Sequence, residues 1–291
     1  MNWIVYHIVS GHAFFTGLLL LTISAYASIQ ARPIFARVAA ISYVIGCLFM
    51  VASSTPMPLG LVVLGTAITV FWVTARFKEN LRRRACFYVC AFIAIAAILE
   101  LPFHIRPTLK SAGSRSVTII GDSATAGMGR EDSSETWPLI LARKHNIKVQ
   151  DISHVGETAG SAIARVNKHS ITSPIVIIEI GGNDILGSTS PRKFARDLDT
   201  LLLQLSAENR QLVMFELPLP PFYHPFGRVQ RTAAAKHNVT LIPKRVFLSV
   251  IAGNSSTLDS IHLSQSGHQL MADSAWRILV DAFPENLERD E

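Results

Sequence analysis

The sequence predicts an α/β domain of three layers, αβα with a parallel sheet in the middle, preceded by about four transmembrane helices. Two observations support this. The first third of the chain consists mainly of long apolar runs, whereas from Ser116 onward short strand-like stretches alternate with amphipathic helix-like stretches. Such alternation is typical of βαβ units, which form a parallel sheet covered by helices on both faces.

The charges divide the chain in the same way. Residues 1–110 carry nine of the 27 Lys and Arg but only two of the 21 Asp and Glu, so the net charge of +6 arises there. These basic residues cluster between apolar runs, which indicates membrane topology. A nucleic-acid binder more often spreads them over one folded face. We therefore expect a membrane as partner and no nucleic acid.

Four apolar runs are long enough, or nearly so, to cross a bilayer, which takes about 20 residues. They are Trp3–Ser28, Ile34–Ser53, Leu59–Ala75 and Ala85–Phe103. These runs are apolar on all sides, unlike the helices of soluble proteins. The expected organisation is a transmembrane region at 1–105, a linker at 106–115 and the α/β domain at 116–291.

The basic residues also predict the orientation. The connections after the first and third runs hold Arg and Lys, whereas the second connection and the N-terminus hold none. The positive-inside rule puts the basic connections in the cytoplasm. With four spans, the α/β domain then lies on the periplasmic side of a bacterial cytoplasmic membrane. If one run did not span, the domain would lie inside.

The cysteines restrict the chemistry of the α/β domain. Cys47, Cys86 and Cys90 lie in apolar runs, and the last 200 residues contain none. A disulfide framework or a cysteine-ligated metal site in that domain is therefore excluded.

Five strands and five helices are predicted in the α/β domain. The strands are at 116–120, 147–152, 174–180, 211–217 and 239–243, and the helices at 137–145, 161–169, 191–207, 228–237 and 264–283. The third strand, PIVIIEI, is apolar almost throughout, as expected for a central strand buried on both faces. In open parallel sheets the site lies beyond the carboxyl ends of the strands.

Four polar motifs fall at that edge, namely GDS (121–123), VGETAG (155–160), GGND (181–184) and DSIHL (259–263). Ser123 lies on a strand-to-helix turn that exposes its hydroxyl. His262 can serve as a base that Asp259 orients. Asn183 and the backbone of Gly156 can donate to an oxyanion. Each motif alone is more simply a turn or a helix cap, but all four at one edge are hard to obtain by chance.

With these motifs the sequence resembles the SGNH/GDSL hydrolase superfamily. GDSATAG, TWPLIL, VGETAG and IEIGGND are most similar to its bacterial thioesterase, lysophospholipase and arylesterase branch. The resemblance covers about residues 116–284 and not the apolar runs. It implies the SGNH, flavodoxin-like fold and a serine hydrolase that cleaves carboxylic esters or thioesters without a metal or cofactor.

The resemblance also implies roles for individual residues. Ser123 would be the nucleophile, His262 its general base and Asp259 the partner of that base. The oxyanion hole would consist of the N–H groups of Ser123 and Gly156 and the side chain of Asn183. Asp122 is expected to hold the serine turn.

Two further segments are candidates for shaping a substrate pocket. PLPPFYHPFG (218–227) follows the fourth strand, and its Phe222, Tyr223 and Phe226 could line an acyl pocket or simply pack a rigid loop. The polar segment MGREDSSE (128–135) could form a lid.

The linker restricts the substrate. The 13 residues from Phe103 to Ser116 span at most about 45 Å, so the site must stay near the bilayer. We expect an acyl ester of a lipid or an acylated envelope glycan. Two alternatives remain: acyl transfer to another alcohol through the same acyl-enzyme, and a non-catalytic membrane sensor or scaffold.

Overall fold

The computed structural model describes residues 2–127, 134–253, 255–258 and 262–283, without the side chain of Glu79. It divides the chain into two compact units. The helical unit comprises Asn2–His104 together with the short segment Leu219–His224. The α/β unit comprises Ile105–Pro218 and the described residues from Pro225 onward.

Five helices build the helical unit: α1 (Trp3–Val9), α2 (His12–Ser28), α3 (Pro33–Ala52), α4 (Leu59–Ala75) and α5 (Glu79–Glu100). Among the described residues, α3 and the segment Asn80–His104 are long and apolar enough to cross a membrane. The pair of α1 and α2 passes the same test together but is bent by 85° at its break.

The expected number of about four transmembrane helices is therefore corrected to two, or up to three if the bent pair is one span, among the residues described. Two physical reasons account for the difference. The first apolar run is broken, and α4 has 17 residues. That length corresponds to about 26 Å, less than the hydrocarbon core of about 30 Å.

The break between α1 and α2 is held by residues distant in sequence. Gly11 adopts a φ of +86°, and a Cβ atom there would lie 3.2 Å from His104 Cε1. Ser54 satisfies backbone groups at the end of α1. Its N–H donates to Ile8 O (3.0 Å) and its hydroxyl donates to Val9 O (2.6 Å).

A polar cluster continues from this break. The buried carboxylate of Glu100 lies 3.1 Å from His104 Nε2, and it accepts a longer bond from Thr55 Oγ1 (3.4 Å). His224 Nε2 lies 2.7 Å from the Ser53 carbonyl oxygen. The α3–α4 connection, the end of α5 and the segment Leu219–His224 thus meet at one polar end of the helical unit.

Small residues let α2 and α3 pack closely. A Cβ atom on Gly17 would lie 2.7 Å from the carbonyl oxygen of Gly46, and one on Gly46 would lie 3.0 Å from that of Gly17. Close approach of helix backbones through small residues is typical of membrane helix pairs, where apolar burial alone gives little driving force.

The α/β unit has a five-stranded sheet formed by β1 (Ser116–Gly121), β2 (Lys148–Asp151), β3 (Ile175–Glu179), β4 (Gln211–Phe215) and β5 (Thr240–Ile242). The strand order is β2-β1-β3-β4-β5, and every pair is parallel. All five residues of β3 are buried. The predicted parallel α/β fold is confirmed.

The helices of this unit are α6 (Ser123–Ala126), α7 (Trp137–His145), α8 (Ala159–Val166), α9 (Gly182–Leu186), α10 (Pro191–Leu205), α11 (His224–Lys236), α12 (Lys244–Ile251) and α13 (Gln265–Leu279). The sequence did not predict α6, α9 or α12. Side-chain caps begin two of the longer helices. Ser190 accepts from Lys193 N before α10 (3.2 Å), and Ser264 accepts from Gly267 N before α13 (3.2 Å).

One apolar core joins the sheet to α7 and α13. It includes Val117 and Ile119 of β1, Ile177 of β3, Trp137 of α7 and Ile278 of α13. Because the side chains of a strand alternate between its faces, alternate positions of β1 enter this core. The core fixes the sheet, and the sheet in turn fixes where its carboxyl ends lie.

Part of the expected linker belongs to the α/β unit. The N–H and carbonyl oxygen of Lys110 both bond to the side chain of Gln211, at 2.8 Å each. Ala112 N donates to Ala282 O (2.8 Å), and Leu109 is buried in the core. Only residues 105–108 precede these contacts.

Candidate active site

The turn after β1 holds Ser123 at the carboxyl edge of the sheet. Asp122 caps α6, and its Oδ1 accepts a hydrogen bond from Ala124 N (3.0 Å), which is the structural role expected of it. Ser123 is the first residue of α6 and is 8% exposed. A Cβ atom on Gly121 would collide with the side chain of Thr125, so only glycine lets the chain turn this closely.

The turn after β2 lies beside the end of β1. His154 N donates to Gly121 O (3.1 Å), and Glu157 N closes the turn by donating to His154 O (3.1 Å). Within this turn Gly156 has a φ of +77°, in the left-handed region that glycine adopts without strain. Gly156 therefore lies in a turn that is hydrogen-bonded to Gly121, at the end of the strand that precedes Ser123.

The turn after β3 brings Asn183 to the same place. A Cβ atom on Gly182 would lie 3.0 Å from Asp122 Oδ2, so the backbone at Gly182 comes close to the turn that holds Ser123. Asn183 Nδ2 donates to Asp122 Oδ2 (3.3 Å) and to Glu157 O (3.1 Å). One amide group thus joins the turns that follow β1 and β2.

Asp184, to which the sequence analysis assigned no role, links the turn after β3 to the start of α8. Its Oδ2 accepts from Ala159 N (2.8 Å), the first residue of α8. Burial raises the pKa of this carboxyl. The available signal was its place directly after the motif asparagine, where a side chain can reach a neighbouring helix start.

Glu179 is a second residue that sequence reasoning missed. It ends β3 and is buried, and its Oε2 accepts from Thr125 Oγ1 (2.9 Å) and from Asp122 N (3.4 Å). The signal was a glutamate inside an otherwise apolar strand. Such a residue needs a partner or a proton once it is buried.

The carboxyl groups of Glu179 and Asp122 lie together in a buried position, and each affects the pKa of the other. Burial, and next the negative charge of Asp122, raise the pKa of Glu179 well above its usual range. Burial also raises the pKa of Asp122, but the N–H of Ala124 and a hydrogen bond with Glu179 oppose this rise. The raised pKa of Glu179 favours its neutral form, which can donate a hydrogen bond to Asp122.

His262 lies within electrostatic range of the nucleophile turn. An electrostatic interaction with His262 is one of the smaller effects that oppose the burial-raised pKa of Asp122. On either side of residues 259–261, Leu258 N donates to His262 O (2.8 Å) and Thr257 pairs with Leu263. Asp259 lies outside the described residues.

The candidate pocket residues have different environments. Phe222, 78% exposed, and Tyr223 belong to the segment grouped with the helical unit. Phe226 is buried, with its ring 5.5 Å from that of Phe194. Of the candidate lid at 128–135, only residues 134 and 135 are among those described.

The turns that contain Ser123, Gly156 and Asn183 meet at one sheet edge, and His262 lies within electrostatic range of Asp122. A hydroxyl, amide donors and an imidazole are the kinds of group sought for nucleophile, oxyanion donors and base. Within the described residues, no group of three or more His, Cys, Asp or Glu is arranged to hold a metal ion.

Comparison with known proteins gives consistent matches for this unit. The model of the GDSL-like lipase/acylhydrolase family matches residues 119–270, more than half of the chain. "Esterase TesA" of Pseudomonas aeruginosa is 26% identical over 184 residues, which are 58% of this chain and 90% of that protein. "Thioesterase 1/protease 1/lysophospholipase L1" of Escherichia coli K12 is 26% identical over 60% of this chain and 88% of that protein.

Solved structures agree with these matches. A crystal structure of TesA superimposes with a TM-score of 0.50 at 25% identity, covering 59% of this chain and 99% of that one. The match covers almost all of TesA but about three fifths of this chain.

Replacing Glu179 by Gln tests whether the pKa of Glu179 is raised in the folded protein. The amide keeps the acceptor for Thr125 and donates to Asp122, but it cannot ionise. Because the native pKa of Glu179 is raised, its contribution to stability is complete below its unfolded pKa of about 4.3 and is lost as pH rises towards the native value. E179Q should therefore lose less stability than the wild type between about pH 5 and pH 8.

The measurement is the thermal unfolding midpoint of the α/β unit in the full-length protein across this pH range. Glu179→Leu is the contrast. It removes the hydrogen bonds and should lower stability by about 1–3 kcal/mol, even at low pH where Glu179 is neutral in both states. Parallel pH profiles of wild type and E179Q would show that Glu179 carries no raised pKa.

Proposed function

The chain belongs to the GDSL-like lipase/acylhydrolase family and is a hydrolase that acts on ester bonds, and we propose that Ser123 is its nucleophile. One observation carries this proposal. Asn183 bonds both to Asp122, which precedes Ser123, and to the turn that contains Gly156. The three motifs expected to supply nucleophile and oxyanion donors are thereby joined at a single point.

The proposed reaction has two halves. Ser123 Oγ attacks the carbonyl carbon of the ester while His262 takes the hydroxyl proton. The tetrahedral intermediate then expels the alcohol or thiol, which receives this proton, and an acyl-serine remains. Water attacks the acyl group with His262 again as base, and the acid leaves as Ser123 regains its proton. Asp259 has the role of orienting His262.

The oxyanion of each intermediate needs donors. We assign this role to the N–H groups of Ser123 and Gly156 and to the Asn183 amide. Asn183 Nδ2 has two hydrogens, and both already have acceptors in the free protein. The bond to Asp122 is the longer one, at 3.3 Å, so it is the one that opens or becomes shared as negative charge develops on the substrate.

Ser123→Ala tests the nucleophile. Loss of the hydroxyl should lower kcat for a short chromogenic ester by at least about a thousandfold and abolish labelling by a fluorophosphonate. Ser249→Ala, at an exposed position of α12, is the matched control and should keep both properties. Unchanged turnover in the Ser123 variant would refute the assignment.

Asn183→Ala tests the oxyanion donor. Because the interaction forms mainly in the transition state, kcat should fall by about 10²–10³ with little change in KM. The control is Asn167→Ala, at the exposed end of α8. A higher KM with an unchanged kcat would instead assign Asn183 to ground-state binding.

We further propose that the helical unit anchors the enzyme in a bacterial cytoplasmic membrane with the α/β unit on the outer side. Gln30 of the α2–α3 connection and Arg76 of the α4–α5 connection line one cavity. The α3–α4 connection meets the end of α5 instead, through Thr55 and Glu100. The basic connections thus share one end, and the chain leaves the bundle at the other. With the basic end in the cytoplasm, the positive-inside rule puts the α/β unit outside, whatever the number of helices that cross the membrane on their own.

The spacer between the units supports a substrate held at the bilayer. Leu109 is already buried in the core and Lys110 is bonded to Gln211, so the spacer is residues 105–108, at most about 14 Å when extended. We propose a lipid ester or an acylated envelope glycan as the substrate. The relatives named for thioesterase and lysophospholipase activity favour an acyl lipid within that range.

A fragment of residues 105–291 tests the effect of the anchor. The full-length enzyme in vesicles and this fragment are compared for turnover of a vesicle-embedded phospholipid ester and of a short soluble ester. The full-length enzyme should prefer the lipid ester more strongly than the fragment does, because the anchor raises the local concentration of the active site near the bilayer. The Ser123→Ala form of each protein is the blank. Equal ratios would mean that the anchor does not set substrate choice.

A further inference from the structure

A small cavity lies in the helical unit at the end that holds the α2–α3 and α4–α5 connections. Its lining is mostly apolar but includes two arginine side chains. Its volume is about 60 Å³. Its polar lining consists of Ser28, Gln30, Arg76 and Arg82, with Trp72 beside them, and small residues such as Ala75 leave the space open. We refer to it as the arginine cavity.

The guanidinium of Arg76 is held in place, but its Nη1 atom has no hydrogen-bond acceptor among the described residues. Its Cζ lies 4.9 Å from the centroid of the Trp72 ring, and its Nη2 donates to Ala36 O (2.7 Å). Its Nη1 is buried and has no acceptor among the described residues. A buried guanidinium donor is costly to leave unsatisfied, so this atom marks a position where a ligand oxygen would be stabilised.

A second guanidinium adjoins the first. Arg82 Nη2 donates to the Arg76 carbonyl oxygen (3.4 Å), which keeps the two side chains at one wall of the cavity. None of the described residues that line the cavity carries a carboxylate. Two guanidinium groups in a lining that, as described, has no carboxylate repel each other, and a bound anion would reduce this repulsion.

Size and donor geometry select the anion. A water molecule needs about 10–15 Å³ of such volume, so the cavity has room for roughly four to six groups of that size. The planar fork of arginine matches phosphate and carboxylate oxygens, and serine and amide side chains add further donors. Basic pockets between membrane helices are known to hold phospholipid headgroups.

We propose that the arginine cavity binds a phosphate group, supplied either by the headgroup of an anionic phospholipid or as free phosphate. The site lies wholly in the helical unit and does not depend on Ser123 or on ester hydrolysis. Binding there would stabilise the basic end of the helices and leave the ester chemistry unchanged.

The test uses the full-length protein and its thermal unfolding midpoint. One arm adds inorganic phosphate to the protein in neutral detergent. The other arm compares vesicles of phosphatidylcholine with vesicles of phosphatidylcholine and phosphatidylglycerol. A midpoint that rises only with phosphatidylglycerol assigns the lipid headgroup, and one that rises also with inorganic phosphate assigns free phosphate as a ligand.

Three variants decide whether the cavity is responsible. Arg76→Gln should weaken the apparent affinity by about tenfold or more, as expected for loss of a charge-assisted bond. Ala75→Leu keeps both arginines but fills the cavity, and it should abolish the shift even if the first variant folds poorly. Arg84→Gln removes an equal charge at an exposed position of α5 outside the cavity lining and should behave as wild type.

The failure of this proposal would be distinct from failure of the esterase assignment, because the readout is stability and not turnover. No shift with either probe would overturn it. So would shifts of equal size in the wild type and in all three variants, which would reveal only general attraction of anions to a basic surface.

Discussion

The parallel register of β1 and β3 is the constraint on which the candidate site depends. It pairs Gly121 with Glu179, so the two strands end at the same level and the turns that follow begin side by side. Glu179 can occupy this buried position because burial raises its pKa, which favours the neutral form, and because Asp122 and Thr125 are its hydrogen-bond partners. A shift of the β1–β3 pairing by one residue would point the Glu179 side chain to the other face of the sheet. It would also separate the turn that holds Ser123 from the turn that holds Asn183.

The helical unit would follow a different rule inside a membrane, because apolar burial cannot hold helices together in an apolar solvent. Close packing at Gly17 and Gly46 joins α2 to α3, and polar side chains organise the two ends. One end has a carboxylate, that of Glu100, among histidine and hydroxyl partners, and the other end has the guanidinium groups beside Trp72. The arginine side chains and the buried carboxyl group therefore lie at different ends of the helical unit.

Much of the α/β unit could be predicted from sequence because its strands are short apolar runs bounded by turn residues, and motifs at strand ends must meet at one edge. The short helices α9 and α12 were not predicted, since so few residues show no clear period. The break at Gly11 depends on Ser54 and His104, which no local pattern reveals. Likewise, the role of Glu179 depends on register, so the strand pattern alone suggested only a buried strand.

The short spacer between the two units has a kinetic consequence. With the chain fixed again by Lys110 and Gln211, an active site tied to membrane helices would move laterally with them and sample only a thin layer of solution. For a substrate in the same bilayer, the relevant quantity is then its mole fraction among the lipids and not its bulk molarity. Diluting such a substrate with inert lipid would slow the enzyme, whereas diluting the whole suspension with buffer would leave turnover per enzyme unchanged.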